Sequence, residues 1–202
     1  MYIHINHNVM TNNDLGLVKV FQSGNRDAYI DLYDKYVKKI YKFIYFKTTH
    51  KETAEDLTSK TFLKALKNLE NFSSKDNPSF SAWLYTIARN TVTDHYRTFK
   101  TADNIEDVWD LASDENLLQD AEMKERSHHL RELLKQLDTY QREIVMLRIY
   151  QEMSYKEIAE VLNKSEAACK MDYSRTIKRL KEMMPIEVLA MIIISGKILL
   201  DI

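Results

Sequence analysis

The residues best suited to chemistry lie between Ser154 and Met184, a stretch rich in Lys, Arg and small polar side chains. Its second half repeats small or apolar residues at i, i+4, i+7 and i+11, which predicts a helix with one buried face, formed by Cys169, Tyr173, Thr176 and Leu180. On the other face, Arg and Lys can contact guanine edges or phosphates. The candidate DNA contacts are Ser165, Lys170, Met171, Ser174, Arg175 and Lys178.

A tight turn and a shorter helix precede this basic helix. Ala159 is small where two helices must approach, and Asn163 tolerates the left-handed backbone of a turn. Ser165 can accept from the free amides at the helix start, and Glu166 favours its positive end. These features predict a helix-turn-helix, whose second helix enters a DNA major groove. The alternative is a basic amphipathic helix that only solvates one face.

A second cluster of aromatic and basic residues lies upstream, from Phe80 to Arg97. Trp83 shares an apolar face with Leu84 and Ile87, and the candidate DNA contacts off that face are Arg89, Asn90, Thr93, Asp94 and Arg97. Aromatic rings stack on bases while cations follow the backbone, so this composition suits single-stranded DNA. The alternative is that the aromatic residues are core and the charges are merely solvated. We favour the core for Trp83, and the question stays open for Asn90 and Arg97.

The sequence offers little for catalysis. One cysteine, Cys169, excludes an internal disulfide and a Cys-based zinc site, and we expect it to be a buried small residue rather than a reactive thiol. The six histidines are scattered, and no phosphate-binding glycine loop or nucleophile–base pair is present. We therefore predict a non-enzymatic protein without metal, cofactor or small-molecule substrate. The N-terminus lacks a secretory signal pattern, and the prediction is a cytoplasmic protein.

Charge is segregated along the chain, although the net charge is only −1. Residues 14–101 carry 15 basic and 10 acidic side chains, residues 102–125 carry 1 and 9, and residues 126–184 carry 12 and 9. Two mildly basic blocks therefore flank an acidic segment, as expected for a chain that contacts nucleic acid at two places.

Helical periodicity dominates the elements that would position these residues. Only 3 Gly and 2 Pro interrupt 202 residues, and no segment alternates with period two. We predict an all-α fold of two small helical domains, an N-terminal bundle and a C-terminal helix-turn-helix domain, joined by an acidic linker. The boundaries are a flexible arm at 1–13, domains at 14–99 and 125–184, the linker at 100–124 and an apolar tail at 185–202.

Three motifs in this order carry a family resemblance. They are AEDLTSKTFLKALKNL at 54–69, FSAWLYTIARNTVTDHYR at 80–97 and LDTYQREIVMLRIYQEMSYKEIAEVLN at 137–163. From about Leu15 to Met183, the chain resembles sigma factors of the extracytoplasmic-function type, compact members of the bacterial sigma-70 family. The resemblance implies that 14–99 is a region 2-like domain for polymerase binding, −10 recognition and melting, and that 125–184 is a region 4-like domain for −35 recognition.

The resemblance also implies residue roles. Core polymerase would be contacted by Asp56, Leu57, Thr61 and Phe62, although Leu57 is equally plausible as core. Asn90 and Asp94 match positions that hold a flipped −10 base, and the loop at 71–79 resembles a base-capturing loop. Lys170, Met171, Ser174 and Arg175 match −35-reading positions. The acidic segment at 102–125 matches the linker that threads into the RNA path of the polymerase.

The chain departs from the family pattern in the recognition helix. Met171-Asp172 stands where Ser-Arg is usual, and Ala167-Ala168 stands where Gly-Thr is usual. Asp172 is expected to lie near phosphates and repel them, and Met171 cannot donate a hydrogen bond. We therefore expect the recognition helix either to read an unusual −35 sequence or to contact the −35 element more weakly.

The apolar tail is not explained by the resemblance. Ile186 to Leu200 spans 15 residues, whereas a membrane-spanning helix needs about 20 apolar residues. We favour packing on its own domain or on a partner, such as an anti-sigma protein, over membrane contact or a frayed end.

The sequence thus predicts a transcription initiation factor that binds core RNA polymerase, directs it to promoters and promotes DNA opening. Its partners would be core polymerase, double-stranded −35 DNA, the melted −10 strand and an anti-sigma protein. One alternative is a helix-turn-helix regulator that binds double-stranded DNA as a dimer, which would leave 54–97 without a purpose. A helical adaptor that regulates enzymes without touching DNA is a third hypothesis, and the 80–97 motif counts against it.

Overall fold

The computed structural model describes residues 14–48, 50–75, 79–99 and 136–183. Within them the predicted all-α fold is confirmed, since they contain seven α-helices and no strand. The helices are α1 (Asp14–Gln22), α2 (Ala28–Thr48), α3 (Lys51–Asn68), α4 (Phe80–Phe99), α5 (Thr139–Val145), α6 (Tyr155–Leu162) and α7 (Glu166–Met183). The predicted arm, linker and tail lie outside these residues, and the domain boundaries stay a prediction.

The first four helices form the N-terminal unit around an apolar core. The apolar stripe of α2 is buried and consists of Ala28, Leu32, Tyr36, Ile40, Phe43 and Ile44. It packs on α3, and α3 packs on α4. At the α1–α2 turn, Gly24 has φ +107, a backbone conformation that L side chains rarely adopt.

An aromatic cluster sets the start of α4. Ser79 caps the helix, because its Oγ accepts from the amide of Ala82 at 3.1 Å. Phe72 lies edge-on to Trp83 at 5.2 Å between ring centroids, and Phe80 lies 5.6 Å from the same indole. Trp83 therefore belongs to the margin of the core, in line with the interpretation favoured from the sequence.

The last three helices form the C-terminal unit. The first two of them, α5 and α6, each begin at a reciprocal cap. Asp138 and Gln141 cap α5, and Ser154 and Glu157 cap α6, in each case through both side-chain-to-backbone bonds of a capping box. A π-helical turn, Met146–Tyr150, extends α5 and was not predicted. Its residues Met146, Leu147 and Ile149 are buried, so the turn serves packing.

The two units contact each other through α4 and α6. Buried residues of both belong to one contiguous hydrophobic cluster, which includes Leu84 and Ala88 of α4 and Ile158 of α6. The described parts of the two units therefore pack against each other and are not held apart by the linker.

Candidate nucleic-acid interface

The recognition helix α7 presents its candidate contacts as one exposed row. All six predicted side chains are exposed, and the side chain of Arg175 is 69% accessible. The opposite face is anchored, because Cys169, Thr176 and Leu180 are buried. Since the inward stripe is satisfied by packing, the polar row is free to meet a groove. The predicted division of α7 into two faces is confirmed, whereas DNA contact by these residues stays a proposal.

The turn before α7 depends on Asn163. This residue ends α6 in the left-handed conformation, with φ 53 and ψ 52. The turn lets the amide of Lys164 donate to the carbonyl of Ala159 at 2.9 Å, and the amide of Ala168 then donates to Ser165 Oγ at 3.2 Å. Both predicted turn roles are confirmed, and they set the angle at which α7 leaves α6.

Replacing Asn163 tests this geometry. Asn163→Val should destabilise the fold by about 1–2 kcal/mol, because a β-branched residue is strained at positive φ. Asn163→Gly is the matched control and should unfold at or above the wild-type temperature. Thermal unfolding followed by circular dichroism measures both, and equal melting temperatures for Val and Asn would contradict the account.

The Asp172 carboxylate is partly buried and contacts both α5 and its own helix. The Tyr140 hydroxyl of α5 donates to Asp172 Oδ2 at 3.1 Å, and Arg175 Nη1 lies 3.9 Å from Oδ1. Burial, together with the bond to Asp172, raises the pKa of Tyr140, so this hydroxyl stays protonated as a donor. Asp172 thus links α7 to α5 and lies beside the Arg175 guanidinium, and its expected repulsion of phosphates stays a prediction.

On α4, four of the five candidate contacts form a second exposed row. Asn90, Thr93, Asp94 and Arg97 are exposed on successive turns, and Asp94 lies 3.5 Å from Lys64 of α3. Arg89 points elsewhere. Its Nε donates to Glu143 Oε1 of α5 at 3.1 Å, so the structure directs it to the C-terminal unit rather than into the row.

Three of the four predicted polymerase contacts on α3 are buried in the free chain, and polymerase contact by all four stays a prediction. Leu57, Thr61 and Phe62 are buried, because α3 turns this face toward α2 and α4. Thr61 also donates its hydroxyl to the carbonyl of Leu57, so it has no free polar group to offer. Asp56 is exposed and pairs with Lys60 at 2.6 Å.

An exposed apolar patch lies beside these positions and was missed from the sequence. It consists of Ile30 and Tyr33 of α2 and Leu63 and Leu66 of α3, and Ile30 and Leu63 are each 57% exposed. Tyr33 packs edge-on against the buried Phe62 ring at 4.8 Å, which holds the patch on the core. The signal was present in the sequence, because Leu63 and Leu66 fall off the stripe formed by Ala54, Leu57, Thr61 and Ala65.

Other kinds of site receive no support from the described residues. In them no cluster of His, Cys, Asp and Glu could hold a metal ion. Over the same residues, no helix has the length and hydropathy to cross a membrane.

Two known domain families match the two halves of this chain. The family model Sigma-70 region 2 matches residues 32–101, and Sigma-70, region 4 matches residues 127–180. RNA polymerase sigma factor YlaC of Bacillus subtilis is 33% identical over 79% of this chain and 94% of its own length. ECF RNA polymerase sigma factor SigM of the same organism is 30% identical over 75% and 91%.

The chain belongs to the sigma-70 family of RNA polymerase sigma factors.

Its place is in the extracytoplasmic-function group, and the protein is a transcription initiation factor. ECF RNA polymerase sigma factor BldN of Streptomyces coelicolor is 37% identical over 84% of this chain, and the match spans 65% of BldN. CnrH, solved with the cytosolic domain of CnrY, shares the fold with a TM-score of 0.63 at 24% identity, over 84% of this sigma factor and 96% of CnrH.

Proposed function

We propose that this sigma factor binds core RNA polymerase through α2 and α3, reads the −35 element with α7 and holds the melted −10 strand with α4. The observation that carries the proposal is the pair of exposed polar rows on α4 and α7, each on a helix whose opposite face is packed. The region 2 match accounts for the N-terminal half, which a dimeric helix-turn-helix regulator would leave without a role. The dimeric regulator is therefore not favoured.

The −35 contact follows from the shape and charge of α7. A helix fits the major groove, and Arg and Lys donate to guanine O6 and N7 or to phosphates. Arg175 and Lys170 are the exposed cations on the central turns of the row. Met171, 48% exposed, supplies an apolar contact of the type that suits a thymine methyl group. The proposed specificity therefore combines one bidentate donor with one apolar contact.

The −10 contact uses a different chemistry, because the strand is melted. A flipped base needs donors and acceptors for its Watson–Crick edge, and the exposed Asn90 amide supplies both. Arg97 lies two turns further on the same row, where it can follow the strand backbone. Asp94 stands between them beside Lys64, so its charge is partly balanced by α3.

The apolar patch is the proposed polymerase-docking surface. Exposed Leu, Ile and Tyr side chains are typical of protein interfaces, and Asp56, exposed earlier on the same helix as Leu63 and Leu66, adds a charge. CnrH was solved with the cytosolic domain of CnrY, and the sigma factor RpoE of Bartonella quintana was solved with the anti-sigma factor NepR. We propose an anti-sigma protein as a further partner of this chain, a cytoplasmic location beside the polymerase, and no catalysis of its own.

Run-off transcription tests the proposal. Purified bacterial core polymerase is supplied with a pool of promoter fragments, with and without this protein. Promoter-specific transcripts that depend on the protein would support it, and their start sites would reveal both promoter elements. If promoter-specific transcripts never appear, either with the full chain or with a variant that ends at Met184, the proposed function is wrong.

The variant Asn90→Ala distinguishes promoter opening from promoter binding. The variant should form the closed complex like wild type but open it about tenfold less, because a hydrogen bond to the extruded base contributes on the order of 1–2 kcal/mol. Permanganate reactivity of unpaired thymines measures the bubble. Thr98→Ala is the control, since that hydroxyl is bonded to the carbonyl of Asp94 within α4. A normal bubble with Asn90→Ala would contradict the assigned role.

A further inference from the structure

A carboxylate lies on the flank of α7, next to the proposed −35 row. The side chain of Asp172 is 31% accessible, whereas that of Arg175, three residues later, is 69% accessible. The Tyr140 hydroxyl of α5 donates to Asp172 Oδ2 at 3.1 Å. The other carboxylate oxygen, Oδ1, lies 3.9 Å from Arg175 Nη1. One oxygen of Asp172 is therefore held by α5, and the other faces the guanidinium of the proposed base-reading residue.

The position of Arg175 on α7 gives its guanidinium two classes of DNA partner. An α-helix with its side chains is about 10–12 Å wide and the major groove is about 12 Å wide, so one face of a docked helix meets base edges while its flanks lie beside phosphates. At about 100° per residue, Arg175 lies about 60° around the helix from Asp172, between that flank and the exposed Met171. The guanidinium can therefore donate either to a guanine edge or to a phosphate.

The Asp172 carboxylate distinguishes these two partners by charge. A phosphate carries a full negative charge and is repelled by a carboxylate beside the same guanidinium, whereas a guanine edge offers acceptor atoms without net charge. Drawing Arg175 away from Asp172 costs the same for either partner, so this cost cancels when the two partners are compared. The bond from Tyr140 fixes the carboxylate on the flank from which a phosphate would approach. Repulsion therefore acts on one class of contact and spares the other.

We propose that Asp172, held by Tyr140, is a specificity-determining residue of the −35 contact, because it denies Arg175 a phosphate partner and leaves it the guanine edge. This inference rests on the proposed function. Neither Asp172 nor Tyr140 has to touch a base, since Tyr140 positions Asp172 and Asp172 acts through Arg175. Sequences that lack the preferred base are bound more weakly as a result, whereas the preferred −35 element loses less.

Closed-complex binding by the holoenzyme tests this role. Core polymerase with wild-type or Asp172→Asn sigma factor is titrated at low temperature onto two duplex promoter fragments. One carries the preferred −35 element found by run-off transcription, and the other is changed at the base pair that responds to Arg175→Ala. Asp172→Asn keeps an oxygen that can accept from Tyr140 but removes the charge. It should bind the changed fragment about two- to fivefold tighter, the range for an exposed charge pair, and gain less on the preferred fragment.

The salt dependence of binding is a second readout, which a merely structural change would not move. If Asp172→Asn lets Arg175 take a phosphate on the changed fragment, the slope of log affinity against log salt steepens there by about 0.9, the value for one further phosphate contact. Glu182→Gln is the matched control, because it removes an exposed carboxylate from the same helix about 15 Å further along the axis. It should leave discrimination, and the difference in slope between the fragments, at wild-type values.

A double-mutant cycle isolates the part played by Arg175. In an Arg175→Ala background, Asp172→Asn should leave the ratio of the two affinities unchanged, since no guanidinium remains to be redirected. Tyr140→Phe, which keeps the ring but removes the donor, should lower discrimination in the same direction as Asp172→Asn. Circular dichroism checks that each variant is folded.

The possible outcomes separate the inference from the proposed function. Wild-type discrimination in folded Asp172→Asn overturns the inference, and so do equal losses on all templates with Arg175→Ala. The same change in both Arg175 backgrounds overturns the dependence on the guanidinium, and wild-type discrimination in Tyr140→Phe removes Tyr140 from the account. In each of these cases promoter-specific run-off transcription still stands, whereas its absence would overturn the proposed function and the inference with it.

Discussion

Leu66→Asp is expected to reduce transcription from every promoter while leaving the chain folded. Leu66 lies in the apolar patch with Leu63, and both side chains are exposed, so a carboxylate is tolerated in the free protein. In the polymerase complex the same carboxylate would be buried without a partner. Truncating a central apolar contact typically weakens binding by about 2 kcal/mol or more, roughly 30-fold, and an added charge weakens it further.

Core polymerase binding, followed by fluorescence anisotropy of the labelled sigma factor, measures this effect directly. Asn68→Asp is the matched control, because it adds a carboxylate to the same helix outside the patch. A folded Leu66→Asp variant that binds core with wild-type affinity would show that the patch is not the docking surface. By contrast, Leu57→Asp should unfold the N-terminal unit, since Leu57 is buried.

Arg175→Ala is expected to weaken transcription in a promoter-dependent manner. If Arg175 donates to a base, its loss should cost about 1–3 kcal/mol on promoters that carry the preferred −35 base and little on others. Arg175→Lys should recover only part of the loss, because Lys lacks the fork geometry that reads guanine. Run-off transcription on templates that differ at single −35 positions measures this pattern.

One control variant and one contrary outcome sharpen the interpretation of Arg175→Ala. Arg179→Ala removes a cation one turn later, where the guanidinium faces Gln141 at 3.4 Å, and should have a smaller effect. Equal losses on all templates with Arg175→Ala would mean that the residue contacts only phosphate. If Arg175 donates to a base, DNA must draw its guanidinium away from the Asp172 carboxylate, which lies 3.9 Å away in the free chain.

Much of the fold could be predicted from the sequence, since each α-helix repeats its pattern every few residues. The buried stripe of α2, the αL turn at Asn163 and the division of α7 into two faces all follow from side chains that are neighbours along the chain. The π-helical turn after α5 could not be predicted in this way. Its sequence, MLRIY, is compatible with an ordinary helix, and three of its residues, Met146, Leu147 and Ile149, are buried in the wider turn.

The candidate site residues show the same contrast between features set by helical spacing and features set by tertiary packing. The polar rows of α4 and α7 could be predicted from helical spacing, whereas the burial of three of the four predicted α3 contacts could not. A resemblance transfers positions along a helix, but exposure depends on which neighbours cover them. Leu57, Thr61 and Phe62 are covered, and Leu63 and Leu66 are left open.

The sequence by itself determined the helices, their caps, their polar faces and the family, because these depend on local periodicity and on short motifs. Only the tertiary structure decided that α4 packs on α6 and that Glu143 meets Arg89, 54 residues away along the chain. No local pattern marks such a pair, since an ion pair between distant helices depends on where the whole chain brings them. The physical reason is the sequence separation of the interacting residues. Helix formation depends on residues a few positions apart, whereas the burial and pairing of a charge depend on the assembled core.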